Sequence, residues 1–104
     1  MSAAGSTKLP GSVTISTEAL ATPIGESLMI LDLRSGVYFE LEGVGARIWQ
    51  LIAEEKTPAQ IAHLISDEYH VDEATAVDDL ADLIGELSAS GLLSIGAERD
   101  PWQV

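Results

Sequence analysis

Two apolar periodicities divide the chain, one of strands and one of helices. Val13-Thr14-Ile15 alternates as a strand does, and Pro23 and Gly25 then interrupt the pattern. From Ser27 to Leu33 apolar residues occupy both parities, which predicts a strand that is central in its sheet or covered on both sides. Arg34-Ser35-Gly36 is a short connection with glycine where a left-handed conformation is needed, the signal of a hairpin. Val37 to Leu41 returns as the partner strand, with Tyr38 and Glu40 on one face and Val37, Phe39 and Leu41 on the other.

After Gly43 the period changes. Val44, Ile48, Leu51 and Ile52 share a helical face with Trp49 beside them, and Glu54-Glu55-Lys56 ends that helix. Thr57-Pro58 restarts the chain as an N-cap followed by proline at the first helical position. Ile61, Ala62, Leu64 and Ile65 form the second apolar face, which runs out at Tyr69-His70. Asp72 is the next N-cap, with Thr75 at the capping-box position. Ala76, Val77, Leu80, Leu83, Ile84 and Leu87 form the third face, and Gly91 stops the helix. Leu92 to Ile95 is a short apolar end, a strand or wing.

Helices two and three are joined at His70-Val71, a connection of helix-turn-helix type. The expected fold is α+β and winged helix-turn-helix-like: an N-terminal antiparallel hairpin or three-stranded sheet followed by three helices. The expected domain spans residues 13–95, between a flexible segment at 1–12 and a loose tail at 96–104 that includes Trp102. The length of 104 residues suits one such core.

Charge changes what this fold is expected to do. Seventeen acidic residues face five basic ones, for a net charge of −12. Between Lys56 and Arg99 there is no Lys or Arg, and helix three presents Asp78, Asp79, Asp82 and Glu86. A helix reading DNA needs cations for phosphates, so nucleic acid is rejected as a partner and a cationic one favoured. No apolar run approaches the roughly 20 residues of a membrane span, and no export signal is visible, so a cytoplasmic protein with no membrane partner is expected.

Candidate chemistry is sparse. Cysteine is absent, which removes thiol nucleophiles and thiolate metal sites. His63, Asp67 and His70 could line one side of helix two, but as a solvated face more readily than as a metal site lacking a fourth ligand. No serine sits in a nucleophile elbow and no glycine-rich phosphate loop is present, so neither an enzyme nor a cofactor is expected. Trp49 among aliphatics reads as core. Val37 to Leu41, if at a sheet edge, would offer unpaired backbone groups to another extended segment or to a second copy, so that monomer and homodimer both stay open.

The run Leu31-Asp32-Leu33-Arg34-Ser35-Gly36-Val37-Tyr38-Phe39-Glu40-Leu41-Glu42-Gly43-Val44-Gly45-Ala46-Arg47-Ile48-Trp49-Gln50-Leu51-Ile52 resembles the PqqD-like family, in particular stand-alone members of lasso-peptide pathways. Thr57-Pro58, Tyr69-x-Val71-Asp72 and Gly91-Leu92-Leu93 fit the same pattern. The resemblance implies a recognition element that binds the leader of a ribosomally made precursor as an added antiparallel strand. Its expected site is Val37, Tyr38, Phe39, Glu40 and Leu41, with backbone bonds to Val37, Phe39 or Leu41. Ala76, Leu80 and Leu83 would receive the leader's Tyr and Pro, and Asp79, with Asp78 and Asp82 further round, would steer its Lys residues. A separate leader peptidase and an ATP-dependent cyclase are the further partners implied. The alternatives are a winged-helix DNA-binding regulator and a scaffold subunit that docks to a modifying enzyme.

Overall fold

The computed structural model describes residues 9–96. Eight elements follow one another: β1 (Ser12–Ile15), β2 (Ala19–Ile24), β3 (Ser27–Asp32), β4 (Tyr38–Glu42), α1 (Val44–Ala53), α2 (Pro58–Tyr69), α3 (Glu73–Ala89) and β5 (Leu93–Gly96). They form two antiparallel sheets against three helices. β2, β3 and β4 make one sheet in that order, and β1 pairs with β5 in the other. The fold is the expected α+β arrangement, with β1–β5 as the wing.

β3 is central, as its two apolar parities predict. Leu28, Ile30 and Asp32 point to the helices and are buried, while Met29 and Leu31 are half-buried on the outer face. The core joins Leu28 and Ile30 to Ile48, Trp49, Leu51 and Ile52 of α1, Ile61, Ala62 and Ile65 of α2, and Ala76, Leu80, Ile84 and Leu87 of α3. Leu92 and Leu93 close it from the wing side. The helix signals act as read. Thr57 and Gln60 form a reciprocal capping box, with Oγ1 accepting from Gln60 N at 3.1 Å and Gln60 Oε1 accepting from Thr57 N at 2.9 Å. His70 then ends α2 in the left-handed region, and its neighbour is tied back by Ser66 Oγ donating to Val71 O at 2.6 Å.

Several expectations are corrected. β2 was not foreseen: Pro23 lies inside a strand that pairs with β3 from Ala19↔Asp32 to Ile24↔Ser27. β3 stops at Asp32 instead of Leu33, and β4 starts at Tyr38, leaving Val37 in the turn. β1 belongs to the wing and not to the hairpin sheet. Just outside the expected 13–95 span, Leu9 packs on the core and Ser12 pairs with Gly96. Asp72 occupies the N-cap of α3 without a side-chain capping bond. The rest of the two expected tails, residues 1–8 and 97–104 with Trp102, lies outside the described residues.

An open sheet edge as the candidate functional site

The three-stranded sheet has two edges, and hydrogen-bond parity makes them unequal. Asp32 N donates to Val37 O at 2.9 Å, and Leu33 N donates to Glu18 O at 2.8 Å. In an antiparallel ladder bonded pairs recur every second residue. Even-numbered residues of β3 therefore bond to β4 and odd-numbered ones to β2. On β4, Phe39 and Leu41 turn their backbone groups inward to β3, and Tyr38, Glu40 and Glu42 turn theirs to the open side. None of these outward groups has a partner among the described residues. In the reading proposed below, the expected bonds to Val37, Phe39 or Leu41 give way to bonds to Tyr38, Glu40 and Glu42, since Val37 O is taken by Asp32 N and Val37 N donates to Ser35 Oγ at 3.2 Å.

The β2 edge is guarded by contrast. Its outward positions are Ala19, Ala21 and Pro23. Ala19 N donates to Ser16 O at 3.2 Å, and Pro23 has no N–H, so Ala21 offers the one amide left among them. Among the described residues β4 is therefore the edge that leaves more backbone groups free.

Beside β4 the surface is apolar on the helix side. Phe39 and Leu41 are half-buried against the core, whereas Tyr38, Glu40 and Glu42 are exposed on the outer face. Gly45 of α1 lies where β4 meets α3: a Cβ placed there would stand 3.6 Å from Leu41 Cδ2 and 3.9 Å from Leu83 Cδ2. Leu41, Gly45 and Leu83 thus floor a shallow groove. Asp79 and Glu86, one helical turn either side of Leu83, lie on its margin and are exposed. Asp82 and Asp78 are exposed progressively further round α3. Ala76 and Leu80 are not at a margin as expected. They are 2 % and 1 % exposed and lie in the core, α3 being packed chiefly against α2 and β5. Of the three apolar α3 residues expected to meet a ligand, Leu83 is the one at the groove. Gly45, Glu42 and Glu86 also lie by this surface and were not among the expected site residues, although Glu86 was read as part of the acidic face of helix three.

The β3–β4 turn is fixed by a side-chain network. Asp32, 5 % exposed, accepts from Arg34 N through Oδ1 and from Ser35 Oγ through Oδ2, both at 3.0 Å. The Arg34 amide bond is the main cause holding the Asp32 carboxyl below its ordinary pKa, with burial opposing and the Ser35 hydroxyl assisting. Gly36 sits at φ +76°, as the turn requires. Arg34 Nε lies 3.4 Å from Glu18 Oε1, and its guanidinium covers Gly91 at the end of α3. Arg47 of α1 grips Glu68 of α2 with two bonds of 2.9 and 2.8 Å, which lowers the Glu68 pKa and raises that of Arg47.

His63, Asp67 and His70 are all exposed, and among the described residues no three His, Asp or Glu side chains are grouped to hold one ion. No described helix is long and apolar enough to cross a membrane.

The family model described as coenzyme PQQ synthesis protein D (PqqD) matches residues 27–93. The chain belongs to the PqqD family. Among solved structures, TbiB1 in complex with the TbiA(beta) leader peptide is 38% identical, with a TM-score of 0.77 over 82% of this chain and 99% of that one. Lasso peptide synthetase B1 complexed with the leader peptide is 28% identical, with a TM-score of 0.75 over 80% of this chain and 98% of that one. No curated protein matches the chain.

Proposed function

We propose that this protein is a leader-peptide recognition element. It binds the leader of a ribosomally made precursor as an antiparallel strand added along Tyr38–Glu42. It then holds that precursor for a separate leader peptidase and an ATP-dependent cyclase of lasso-peptide maturation. The observation that carries the reading is the open β4 edge beside the Leu41–Gly45–Leu83 groove, on a fold shared with two proteins described as bound to leader peptides. Backbone bonds give affinity with tolerance of sequence, while Phe39, Leu41 and Leu83 receive apolar side chains. Tyr38 and Glu40 flank the strand on the outer face. Asp79, with Asp78 and Asp82 further round, draws cationic segments toward the groove and raises the association rate more than the affinity. Ala76 and Leu80 support the groove from beneath.

The protein acts by binding and not by catalysis, and it needs no cofactor. Its compartment is the cytoplasm, where precursor peptides are synthesised. Calorimetric titration with a synthetic leader of the cognate precursor, at low and high salt, tests the reading. Micromolar or tighter binding that weakens with salt is the expected result. A protein that binds its modifying enzyme but no free leader is a scaffold subunit, and that outcome overturns the proposal.

A further inference from the structure

We infer that Glu40 and Glu42 choose the bound peptide's sequence, selecting basic residues two apart, with an apolar or aromatic residue two further on, opposite Tyr38. The inference deepens the strand-addition reading and rests on it. Tyr38, Glu40 and Glu42 are the β4 residues whose backbone groups face the open edge. Residues that exchange both backbone bonds across an antiparallel pair lie directly opposite, with side chains on the same face. Peptide residues bonded to Glu40 and Glu42 therefore project onto the outer face beside those two carboxylates.

Nothing already in the sheet neutralises these carboxylates. The row behind Glu40 is Met29 and Thr22, and the row behind Glu42 is Ser27 and Ile24. Of the described cations, Arg34 is beside Glu18 and Asp32, Arg47 is bound to Glu68, and Lys56 follows α1 at the far end of that helix. An acidic residue opposite either carboxylate would be repelled, and a Lys or Arg attracted. The Tyr38 row is different: Leu20, Leu31 and Tyr38 run across the sheet, with Leu20 and Tyr38 53% and 65% exposed, so an apolar residue extends it. The intervening peptide residues face Phe39, Leu41 and Leu83. In the antiparallel sense the preferred segment reads, from its N-terminus, basic, apolar, basic, apolar, and apolar or aromatic. Charge selectivity then resides on the strand, while the more distant α3 acids act on encounter.

Selection of a random linear peptide library by display tests this, on the intact protein and on the exposed-site double variant Glu40→Lys/Glu42→Lys. The expected result is enrichment of Lys or Arg at positions i and i+2 by the native protein and of Asp or Glu there by the variant. Within a selected peptide, changing one such Lys to Glu should weaken binding about fivefold, with recovery on the matching Glu→Lys protein. Alternating apolar peptides enriched equally by both proteins, without charge preference, would overturn the inference and leave strand addition standing. Failure to enrich any extended peptide, together with no binding of the cognate leader, would overturn both.

Discussion

The amide of Asp32 donates to the carbonyl of Val37 at 2.9 Å, and this one bond sets the parity of the whole β4 strand. Because Gly36 N takes the Asp32 carbonyl at 2.7 Å, the turn closes with Val37 outside the strand. Every second residue thereafter follows, which hands the open edge to Tyr38, Glu40 and Glu42.

That parity separates two proline substitutions one residue apart. Glu40→Pro removes an outward amide, so the protein should stay folded, with a melting temperature within a few degrees of the parent, while leader binding falls at least tenfold. Phe39→Pro removes a bond to β3 and should destabilise the fold by about 3 kcal/mol. Thermal melts and titration of both variants give the comparison. Equal effects from the two would contradict the assigned parity.

Gly45 trades stability for space. A methyl there meets Leu41 and Leu83 at ordinary contact distances of 3.6 and 3.9 Å, so Gly45→Ala folds without a clash. The better helix former should add up to about 1 kcal/mol, less at this first-turn position. The groove loses depth in exchange, and leader affinity should drop severalfold. Denaturant unfolding and calorimetry on the same sample check both signs.

Asp32 predicts the direction of one pH effect. Its folded pKa lies below the ordinary value, so its carboxylate stabilises the folded state above that value, and the contribution is lost as pH falls through the folded pKa. The difference in melting temperature between the native protein and Asp32→Asn should be largest near neutrality and should shrink below about pH 4. A constant difference from pH 7 to pH 3 would mean that the charge of Asp32 does not stabilise the turn.

Gly91 is constrained twice. It lies at φ +86°, and a Cβ would run into the Arg34 guanidinium. Gly91→Ala should cost roughly 1–2 kcal/mol from the backbone alone. Adding Arg34→Ala should relieve the collision and leave the backbone strain, so recovery in denaturant unfolding is expected to be partial.

Much of the fold was legible because it rests on local signals. Thr57-Pro58, Gly91 and the change of period after Gly43 mark the helices, and Gly36 marks the hairpin. β2 was not legible because it has no buried face: apart from Ala19 its residues are exposed, so no alternation is imposed on Leu20 to Ile24. The β1–β5 pairing joins segments from opposite ends of the chain, which no local pattern encodes.

The site was legible by face and not by bond. Alternation correctly separated Phe39 and Leu41 from Tyr38 and Glu40 onto opposite faces. It could not say which backbone groups point away from β3, since that depends on the Asp32–Val37 bond. Helical spacing likewise put Ala76, Leu80 and Leu83 on one apolar arc, but their neighbours decide that Leu80 is covered and Leu83 is at the groove.

Amide hydrogen exchange of the protein with and without leader peptide, followed residue by residue, reads the central claim most directly. The amides of Phe39 and Leu41 should be protected already in the free protein, and those of Tyr38, Glu40 and Glu42 should gain protection when the leader binds. Leader binding that leaves these three amides exchanging as before, with new protection confined to the helices, would contradict strand addition at β4.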